Sequence, residues 1–526
     1  MSVEITVFDG AKSIGGSKIH LKAGDVGLFL DFGTNFNKYG KYFEEFLTPR
    51  TARGIYDLLA LDIIPTLEGI YRADIFPPDL SIRSGIKPKV DAVFLSHAHV
   101  DHSGNVGLLD LCIPVYSSSM TAVIAKAMQD CGGAAGLEGE ITYISPKGPS
   151  ETDPLAIGTV RGESCQSRQF YLVDDPPNLD ELNGFWQHLF GRKKLNPVPL
   201  AKAQGEVDGL KFKAIPVDHS IFGATSYAFD VDGKWLVYTG DFRLHGTRES
   251  LSDQFVQELK KLKPDVLIVE GTNIGEEKKA SEDGVFKNCL KAVKEAVGSL
   301  VIADFGPRNI ERLMTFLKIA AETKRKLVVT AKDAFMLYAM RLADKSIPDV
   351  LADPNLLIFD EVRASAQLWE RDFVRANYGE KYISAPKIKK NQADYILAFS
   401  FWDIKHLLDV MPAGGIYIYS TSEAFSEEQR MDVWRLGNWL ERFNIRPVGF
   451  GFLKKGTSSE ECEIEFEYGY HSSGHVSGEE LIDLIHEIKP KTIIPVHTEH
   501  PEIFAEKLGK DFNVILPEEG QTVRLD

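Results

Sequence analysis

Hydrophobic and polar positions follow three successive patterns along this chain of 526 residues. Up to about residue 275, short apolar runs of strand length dominate, and Asp232-Gly233 between two of them is typical of a type I′ hairpin. From about 276 to 454, β-rich runs alternate with amphipathic stretches such as Asn309 to Lys324, which predicts a parallel sheet wrapped by helices. After about 455 the first pattern returns.

This order predicts one domain with a second domain inserted into it. Residues 1–275 and 455–526 would form the two parts of the first domain, and residues 276–454 the inserted α/β domain. Two or three domains are also what a chain of this length leads us to expect. Residues 161–205 are polar and contain several prolines, so we expect a surface insertion without clear elements there.

A dense group of metal-ligand side chains follows one predicted strand. The apolar run Val90–Leu95 is typical of a strand buried on both faces, and directly after it come His97, His99, Asp101 and His102. Imidazole and carboxylate groups suit zinc or a similar divalent metal. Histidines scattered over a surface would not give this spacing. The sequence therefore predicts a metal site on a loop at a strand end.

Three further candidate ligands each follow another predicted strand. They are His219, Asp241 and His497, and Gly240 allows a sharp turn before the aspartate. Each has an ordinary alternative, a capping aspartate or a histidine bonded to the backbone. Together with the first cluster, they predict that strand ends converge on one metal centre.

A second histidine motif, HSSGH, spans His471 to His475. Ser477 and Glu480 form a capping-box pattern before the helical run Leu481–Ile488, so His475 is expected near a helix N-terminus. Backbone N–H groups there favour an anion such as phosphate. The alternative is that these histidines only cap or pack.

Composition narrows the class of protein. The formal net charge is −16, which argues against a protein that coats long nucleic acid but not against one that admits a strand to a metal centre. Five cysteines without a C-x-x-C pair favour a reducing, cytoplasmic compartment. No apolar stretch reaches the roughly 18 residues that span a bilayer, and the N-terminus lacks the features of a signal peptide.

These motifs resemble those of the metallo-β-lactamase superfamily. The resemblance implies an αββα sandwich with metal ligands on loops at one edge. It also implies two divalent metals, zinc or alternatively manganese, with Asp241 bridging them. The remaining ligands would be His97, His99 and His219 for one metal, and Asp101, His102 and His497 for the other.

Within that superfamily the chain resembles the β-CASP branch, which has an inserted α/β domain. Its three extra motifs match Glu270, His475 and His497. By this resemblance Glu270 would orient a metal ligand, and His475 would contact the scissile phosphate and protonate the leaving oxygen. Residues 305–309 resemble a loop of the family. The other candidate phosphate contacts are His471, Ser420 and Thr421, the last two with a plain turn as the alternative.

The resemblance implies a dinuclear metal-dependent phosphodiesterase, a ribonuclease of exo- or endonucleolytic mode acting on single-stranded RNA. A metal-bridging hydroxide would attack the phosphate, with Asp101, Glu270 and His475 as the catalytic residues. A DNA-directed nuclease is a close alternative. A hydrolase of a small ester, lactone or thioester, and a non-catalytic scaffold, are the others. No membrane partner is expected, and a homo-oligomer is left open.

Overall fold

The computed structural model describes residues 2–44, 46–82, 85–132, 136–191, 194–276, 280–306, 308–422, 427–454 and 462–525. Three large sheets organise these residues. Two of them pack face to face, and the third, which is entirely parallel, is built from the middle of the chain. This is the mixed α/β architecture predicted from the sequence.

The first sheet of the sandwich has eight strands, in the order Ala201–Lys202, Phe170–Leu172, Val115–Ser117, Ala92–Phe94, Val26–Leu30, Lys18–Ala23, Val3–Asp9 and Thr522–Leu525. The second has seven, in the order Glu206–Val207, Leu210–Pro216, Thr225–Val231, Lys234–Tyr238, Val266–Glu270, Thr492–Val496 and Asn513–Val514. Apolar side chains from both inner faces form one core, in which the rings of Phe94 and Phe229 meet edge to face at 5.0 Å. The predicted hairpin is confirmed, because Asp232 and Gly233 have φ angles of 53° and 82°.

The third sheet has seven parallel strands, in the order Tyr382–Ser384, Leu356–Asp360, Lys326–Val329, Tyr395–Ala398, Leu300–Asp304, Gly415–Tyr419 and Ile445–Val448. All of them fall within residues 276–454, where the alternating pattern predicted such a sheet. The domain boundaries themselves stay a prediction. The shorter paired strands are Tyr143–Ile144, Lys147–Pro149, Ile157–Thr159, Cys165–Ser167, Leu195–Asn196, Phe450–Lys454 and Cys462–Phe466.

The described α-helices are Phe36–Gly40, Tyr56–Ala60, Val100–Ser103, Ser119–Cys131, Leu179–Trp186, Glu249–Leu262, Glu282–Glu295, Ile310–Glu322, Ala331–Ala343, Ala376–Tyr378, Ala385–Lys390, Leu407–Val410, Glu427–Arg442, Gly478–Ile488 and Glu502–Leu508. Short 3₁₀ turns are Thr51–Arg53, Ala73–Ile75, Val106–Leu108, Leu137–Gly139, Gly379–Lys381, Gln392–Asp394 and Phe401–His406, and Glu370–Arg375 is a π-helix. The capping box before Gly478–Ile488 is present as predicted. Among the described residues, no helix combines the length and the apolar character needed to cross a membrane.

The prediction for residues 161–205 is wrong. This segment contributes the strand Phe170–Leu172 to the first sheet and the helix Leu179–Trp186, whose Trp186 is buried. The sequence did not indicate these elements, because the segment is polar and the strand, only three residues long, lies between loops. Local polarity is a weak guide where a short strand is held by its neighbours in a sheet.

The sandwich places several strand ends at one edge. Strand Val266–Glu270 runs parallel to both Lys234–Tyr238 and Thr492–Val496, with Glu270 opposite Val496. In the other sheet, Val26–Leu30 runs parallel to Ala92–Phe94. Because parallel strands end at the same edge, the loops that follow them meet there. The predicted metal ligands follow strands at this edge; Asp101 and His102 lie in the short helix Val100–Ser103 and the others in loops.

Candidate metal centre

Three histidines converge at the first of two adjacent clusters. His97 Nε2 lies 3.0 Å from His99 Nδ1, and His219 Nε2 lies 3.1 Å from the same atom. His97 follows strand Ala92–Phe94 after Leu95 and Ser96, His99 caps the short helix Val100–Ser103, and His219 follows strand Leu210–Pro216. Three ring nitrogens that face one point at these distances form a set able to hold a metal ion.

The second cluster combines carboxylates with imidazoles. His497 Nε2 lies 3.3 Å and His102 Nε2 3.7 Å from Asp101 Oδ2. Asp241 lies between the two clusters, since its Oδ2 is 3.0 Å from His102 Nε2 and 3.7 Å from His97 Nε2. The same oxygen is 3.8 Å from the Nε2 atoms of both His219 and His497. The structure thus brings all seven predicted ligands together, and their ligand roles stay a prediction.

The outer nitrogens of these histidines are bonded to the surrounding protein. His102 Nδ1 donates to Asp31 Oδ2 at 2.8 Å, and His219 Nδ1 donates to the carbonyl of Gly474 at 2.5 Å. His497 Nδ1 lies 2.9 Å from Thr272 Oγ1. Such contacts fix the ring orientation and leave the inner nitrogen to bind a metal. They favour ligation through Nε2 at each of these rings.

Backbone conformation is also specialised here. His497 has a left-handed φ of 52° and Asp31 one of 60°, a region that residues with side chains rarely adopt. Gly240, with φ 56°, passes so close to Ser96 that an added Cβ would lie 2.7 Å from the serine Cβ. This close approach explains why a glycine precedes Asp241.

Burial and neighbouring charges separate the pKa values of the ligands. Burial, reinforced by the other histidines, holds the pKa of His97 and His219 well below the usual value. Burial likewise lowers the pKa of His99 to about 3, and the positive charge of Arg308 contributes. The pKa of Asp241 is well below its usual value despite burial, because His102, His497 and His475 surround the carboxylate. These shifts favour the protonation states that metal binding requires at His97, His99, His219 and Asp241. The neighbouring carboxylates, Asp241 first, instead raise the pKa of His102 well above its usual value, so a metal would have to displace its proton.

The cluster fits a divalent metal. Among the described residues, His102 Nε2 and Asp241 Oδ1 are buried without a hydrogen-bond partner, although the histidine atom lies 3.0 Å from Asp241 Oδ2. Buried polar groups without partners are costly, and a metal ion would satisfy both. The donor set of imidazoles and carboxylates supports a divalent metal, zinc among them.

His475 and Glu270 lie directly beside Asp241. His475 Nδ1 is 2.9 Å from Glu270 Oε2 and 3.8 Å from Asp241 Oδ2, and Glu270 Oε1 accepts from the backbone N–H of Phe242 at 3.0 Å. Although burial lowers it, the charges of Glu270 and Asp241 raise the pKa of His475 to about 9. The side chain keeps 19% of its surface exposed, so the ring can reach a bound molecule.

The remaining predicted substrate contacts are placed less favourably. Ser420 is 1% exposed; its hydroxyl donates to the carbonyl of Tyr470 at 2.6 Å and accepts from Arg312. Thr421 and His471 are half-buried. The structure therefore brings His475 to the cluster but holds Ser420 inside the protein, where no substrate reaches it.

A buried network of salt bridges lies behind the metal ligands and joins them to the inserted domain; we call it the Arg243 network. It consists of Asp218, Arg243, Glu282, Glu311 and Arg312. Arg243 Nε lies 3.2 Å from Asp218 Oδ2 and its Nη1 lies 3.1 Å from Glu282 Oε1, which also accepts from Arg312 at 2.9 Å. These side chains are 2% exposed or less.

Four residues near the cluster were given no role by the sequence: Asp31, Arg243, Thr272 and Arg308. Asp31 follows strand Val26–Leu30, and its position after a strand was the available signal. Its carboxylate accepts from Ser96, His102 and Tyr238. Arg308 belongs to the loop after strand Leu300–Asp304. Burial lowers the pKa of its guanidinium, and the carboxylate of Asp101 lies close enough to oppose that shift.

Comparison with known proteins gives matches over the whole chain at low identity. Residues 463–517 match the family model described as the Zn-dependent metallo-hydrolase RNA specificity domain. Ribonuclease J of Helicobacter pylori is 20% identical over all of this chain and 61% of its own length. Ribonuclease J 2 of Streptococcus pyogenes is 21% identical over 84% of this chain and 65% of its own length. A protein of unknown function from Enterococcus faecalis V583 superposes with a TM-score of 0.67 at 20% identity, covering both chains completely.

The chain thus spans about three-fifths of the length of the Helicobacter relative that it matches. The solved structure shows the fold alone. The residues of this chain that match the family model include His471, His475 and His497. The solved structure agrees with the overall fold described above. These matches support the resemblance to the β-CASP branch of the metallo-β-lactamase superfamily that the sequence motifs indicated.

Proposed function

We propose that this protein is a metal-dependent phosphodiesterase that cleaves single-stranded RNA. The observation that carries the proposal is the position of His475, 2.9 Å from Glu270 and 3.8 Å from the central Asp241. A hydrolase of small esters would not need a second histidine beside a complete set of metal ligands. The match to an RNA specificity domain over 463–517, which includes this histidine, supports RNA as the substrate.

We assign two divalent ions, zinc or manganese, to the cluster. His97, His99 and His219 would hold one ion, Asp101, His102 and His497 the other, and Asp241 would contact both. Bound divalent ions supply Lewis acidity to a phosphoryl group and lower the pKa of water toward neutrality.

The protein's own residues would orient the substrate and move a proton. Because Glu270 engages Nδ1 of His475, the Nε2 atom faces the substrate. In this proposal a water loses one proton to solvent and its oxygen bonds to phosphorus, the P–O3′ bond breaks, and His475 gives a proton to O3′ and is reprotonated from solvent. The products are a 5′-phosphate and a 3′-hydroxyl.

The strand would enter between the sandwich and the inserted domain. Arg308, on a loop of the inserted domain, lies close enough to Asp101 and His99 for its charge to affect the site. A guanidinium at this position would attract phosphates on the strand, which compensates locally for the net charge of −16.

The test is a cleavage assay on 5′-monophosphorylated single-stranded RNA with zinc or manganese. We expect the wild type to shorten the RNA, and His475→Ala to retain its metal but lose about 100-fold or more in rate. His500→Ala is the matched control, because this exposed histidine lies three residues after His497 and its ring pairs with the exposed Glu502.

Metal-loaded wild type that leaves RNA intact but hydrolyses a small ester would overturn the proposal. Equal losses for His475→Ala on RNA and on a small ester would remove the phosphate role of His475. DNA of the same sequence is the parallel substrate, and a preference for DNA would reassign the nucleic acid.

A further inference from the structure

A cavity of about 930 Å³ lies beside the metal centre, within the sandwich domain. One wall is the loop that carries the predicted metal ligands: Val100 lines the cavity, and its neighbours in sequence are His99 and Asp101. Thr34 also lines it, and its backbone N–H donates to the Val100 carbonyl at 2.9 Å. The cavity thus shares this loop with the metal centre, although none of the seven predicted ligands lines it.

The cavity contains a carboxylate with no partner. Glu138 Oε1 is buried, and among the described residues no hydrogen bond or salt bridge reaches this side chain. Glu140, two residues later, is fully engaged: Arg72 donates to it at 2.8 Å and Lys147 at 3.2 Å. Lys18, whose charge acts on Glu138, is bonded to Asp9 and to the carbonyl of Gly33.

An unpaired buried carboxylate is unfavourable unless a ligand supplies the donor. Burial raises the pKa of Glu138 to about 7, which reflects this cost. The ionised form of Glu138 only accepts hydrogen bonds, so a phosphate, which offers acceptors and negative charge, suits it poorly. A ligand that stabilises this ionised form carries N–H or O–H donors.

Aromatic side chains line the same cavity. Phe36 is 56% exposed, and Tyr39, Tyr143 and Phe190 are half-buried around the opening. Flat aromatic surfaces are what single-stranded RNA-binding proteins use to receive unstacked bases, whose Watson–Crick edges then bind polar groups. The walls and the carboxylate together suit a planar ring with donors on its edge.

We infer that this cavity binds a guanine base of the RNA strand held at the metal centre, with Glu138 accepting from its Watson–Crick edge. Guanine presents two adjacent donors, N1–H and the N2 amino group, whereas adenine, cytosine and uracil each present one donor group on that edge. A carboxylate accepts such a pair of donors with both oxygens. This inference rests on the proposed function, since it takes RNA as the substrate.

The first experiment uses the wild-type protein and RNA in which guanine is replaced, one position at a time, by hypoxanthine or adenine. Hypoxanthine lacks only the N2 amino group. We expect one position near the cleaved bond at which hypoxanthine lowers the cleavage rate about 10-fold and adenine about 100-fold, as for a lost hydrogen bond to a charged group. Cleavage that is insensitive to the base at every position would overturn the inference and leave the proposed function standing.

The second experiment measures binding without cleavage, by calorimetry with guanosine and adenosine 5′-monophosphates. Glu138→Gln keeps the shape of the side chain, and Glu163→Gln removes the same charge from an exposed position outside the cavity. We expect wild type and Glu163→Gln to bind the guanosine nucleotide about 10- to 100-fold more tightly than the adenosine nucleotide, and Glu138→Gln to lose this preference.

These outcomes separate the inference from the proposed function. Guanosine binding that depends on Glu138, in a protein that does not cleave RNA, would support the guanine site and assign it to a free nucleotide. Equal binding of both nucleotides, unchanged in Glu138→Gln, would overturn the site whatever the RNA assay gives.

Discussion

Two buried polar clusters lie next to each other in this protein, the Arg243 network and the metal-ligand cluster, and they differ in the partners of their carboxylates. In the Arg243 network, carboxylates and guanidinium groups pair with one another. Glu282, for example, accepts from both Arg243 and Arg312. In the metal-ligand cluster, His102 Nε2 and Asp241 Oδ1 are without hydrogen-bond partners among the described residues. Asp218 Oδ1 of the network also has no hydrogen-bond partner among the described residues, but its carboxylate is paired with Arg243. Asp241 contacts imidazoles and, among the described residues, no arginine or lysine side chain.

The comparison teaches how to distinguish a structural cluster from a binding site when both are buried. Burial and charge density are alike in the two, so neither property separates them. What separates them is whether each carboxylate is paired with an arginine or lysine side chain, because carboxylates that contact only imidazoles form with them a donor set that suits a divalent metal. The same criterion singled out Glu138 against its bonded neighbour Glu140.

Asp101→Ala, in the metal-ligand cluster, is expected to have the largest effect on metal content and RNA cleavage. This substitution removes a carboxylate that lies 3.3 Å from His497 Nε2 and 3.7 Å from His102 Nε2. We expect the loss of bound metal and a fall in RNA cleavage of about 10³-fold or more. Metal content by elemental analysis and single-turnover cleavage rates are the measurements. Full activity without this carboxylate would refute the assigned site.

Glu282→Gln, in the Arg243 network, should have the opposite effect: it should lower stability and leave metal binding in place. The substitution leaves two buried guanidinium groups short of a negative charge, so we expect the free energy of unfolding to fall by about 3–5 kcal/mol. The folded fraction should keep its metal. Urea unfolding with parallel metal analysis measures both, and Glu295→Gln, on the exposed side of the same helix, is the control. Unchanged stability combined with lost metal would assign the network to the metal site instead.

A smaller effect is expected at the contact that orients one ligand. Asp31→Asn keeps the size of the side chain but removes the charge that receives the proton of His102 Nδ1. Metal affinity should fall about 10- to 100-fold, with the fold retained. Metal titration against a competing chelator gives the affinity, and circular dichroism reports the fold. An unchanged affinity would show that Asp31 serves only the packing around Ser96 and Tyr238.

The pattern of apolar runs predicted the parallel sheet and the spatial convergence of the ligands, whereas the sandwich was implied by the family resemblance of the motifs. Strand-length apolar runs each ended at a candidate ligand, and parallel strands bring their ends together. His97 and His497 could be placed at one edge for this reason, although they are far apart in the chain.

Features that depend on tertiary contacts were missed. Phe170–Leu172 is too short to predict, and it forms because Val115–Ser117 pairs with it in the sheet. Ser420 follows a strand as expected, yet Arg312 and Tyr470 occupy its hydroxyl. Nothing in the sequence distinguishes Glu138 from Glu140, because the presence of a partner is decided by residues distant in the chain.

The strand Thr492–Val496 has a consequence for how the protein is made. It pairs with Val266–Glu270 in the interior of a sheet, and the backbone N–H of His497 then donates to the carbonyl of Gly10 at 2.7 Å. Strand Thr492–Val496 and His497 are translated long after Val266–Glu270, so the sheet and the ligand cluster can close only after the whole segment between them has been made. A metal held by the closed cluster would stabilise by mass action only those chains in which this late strand has already inserted.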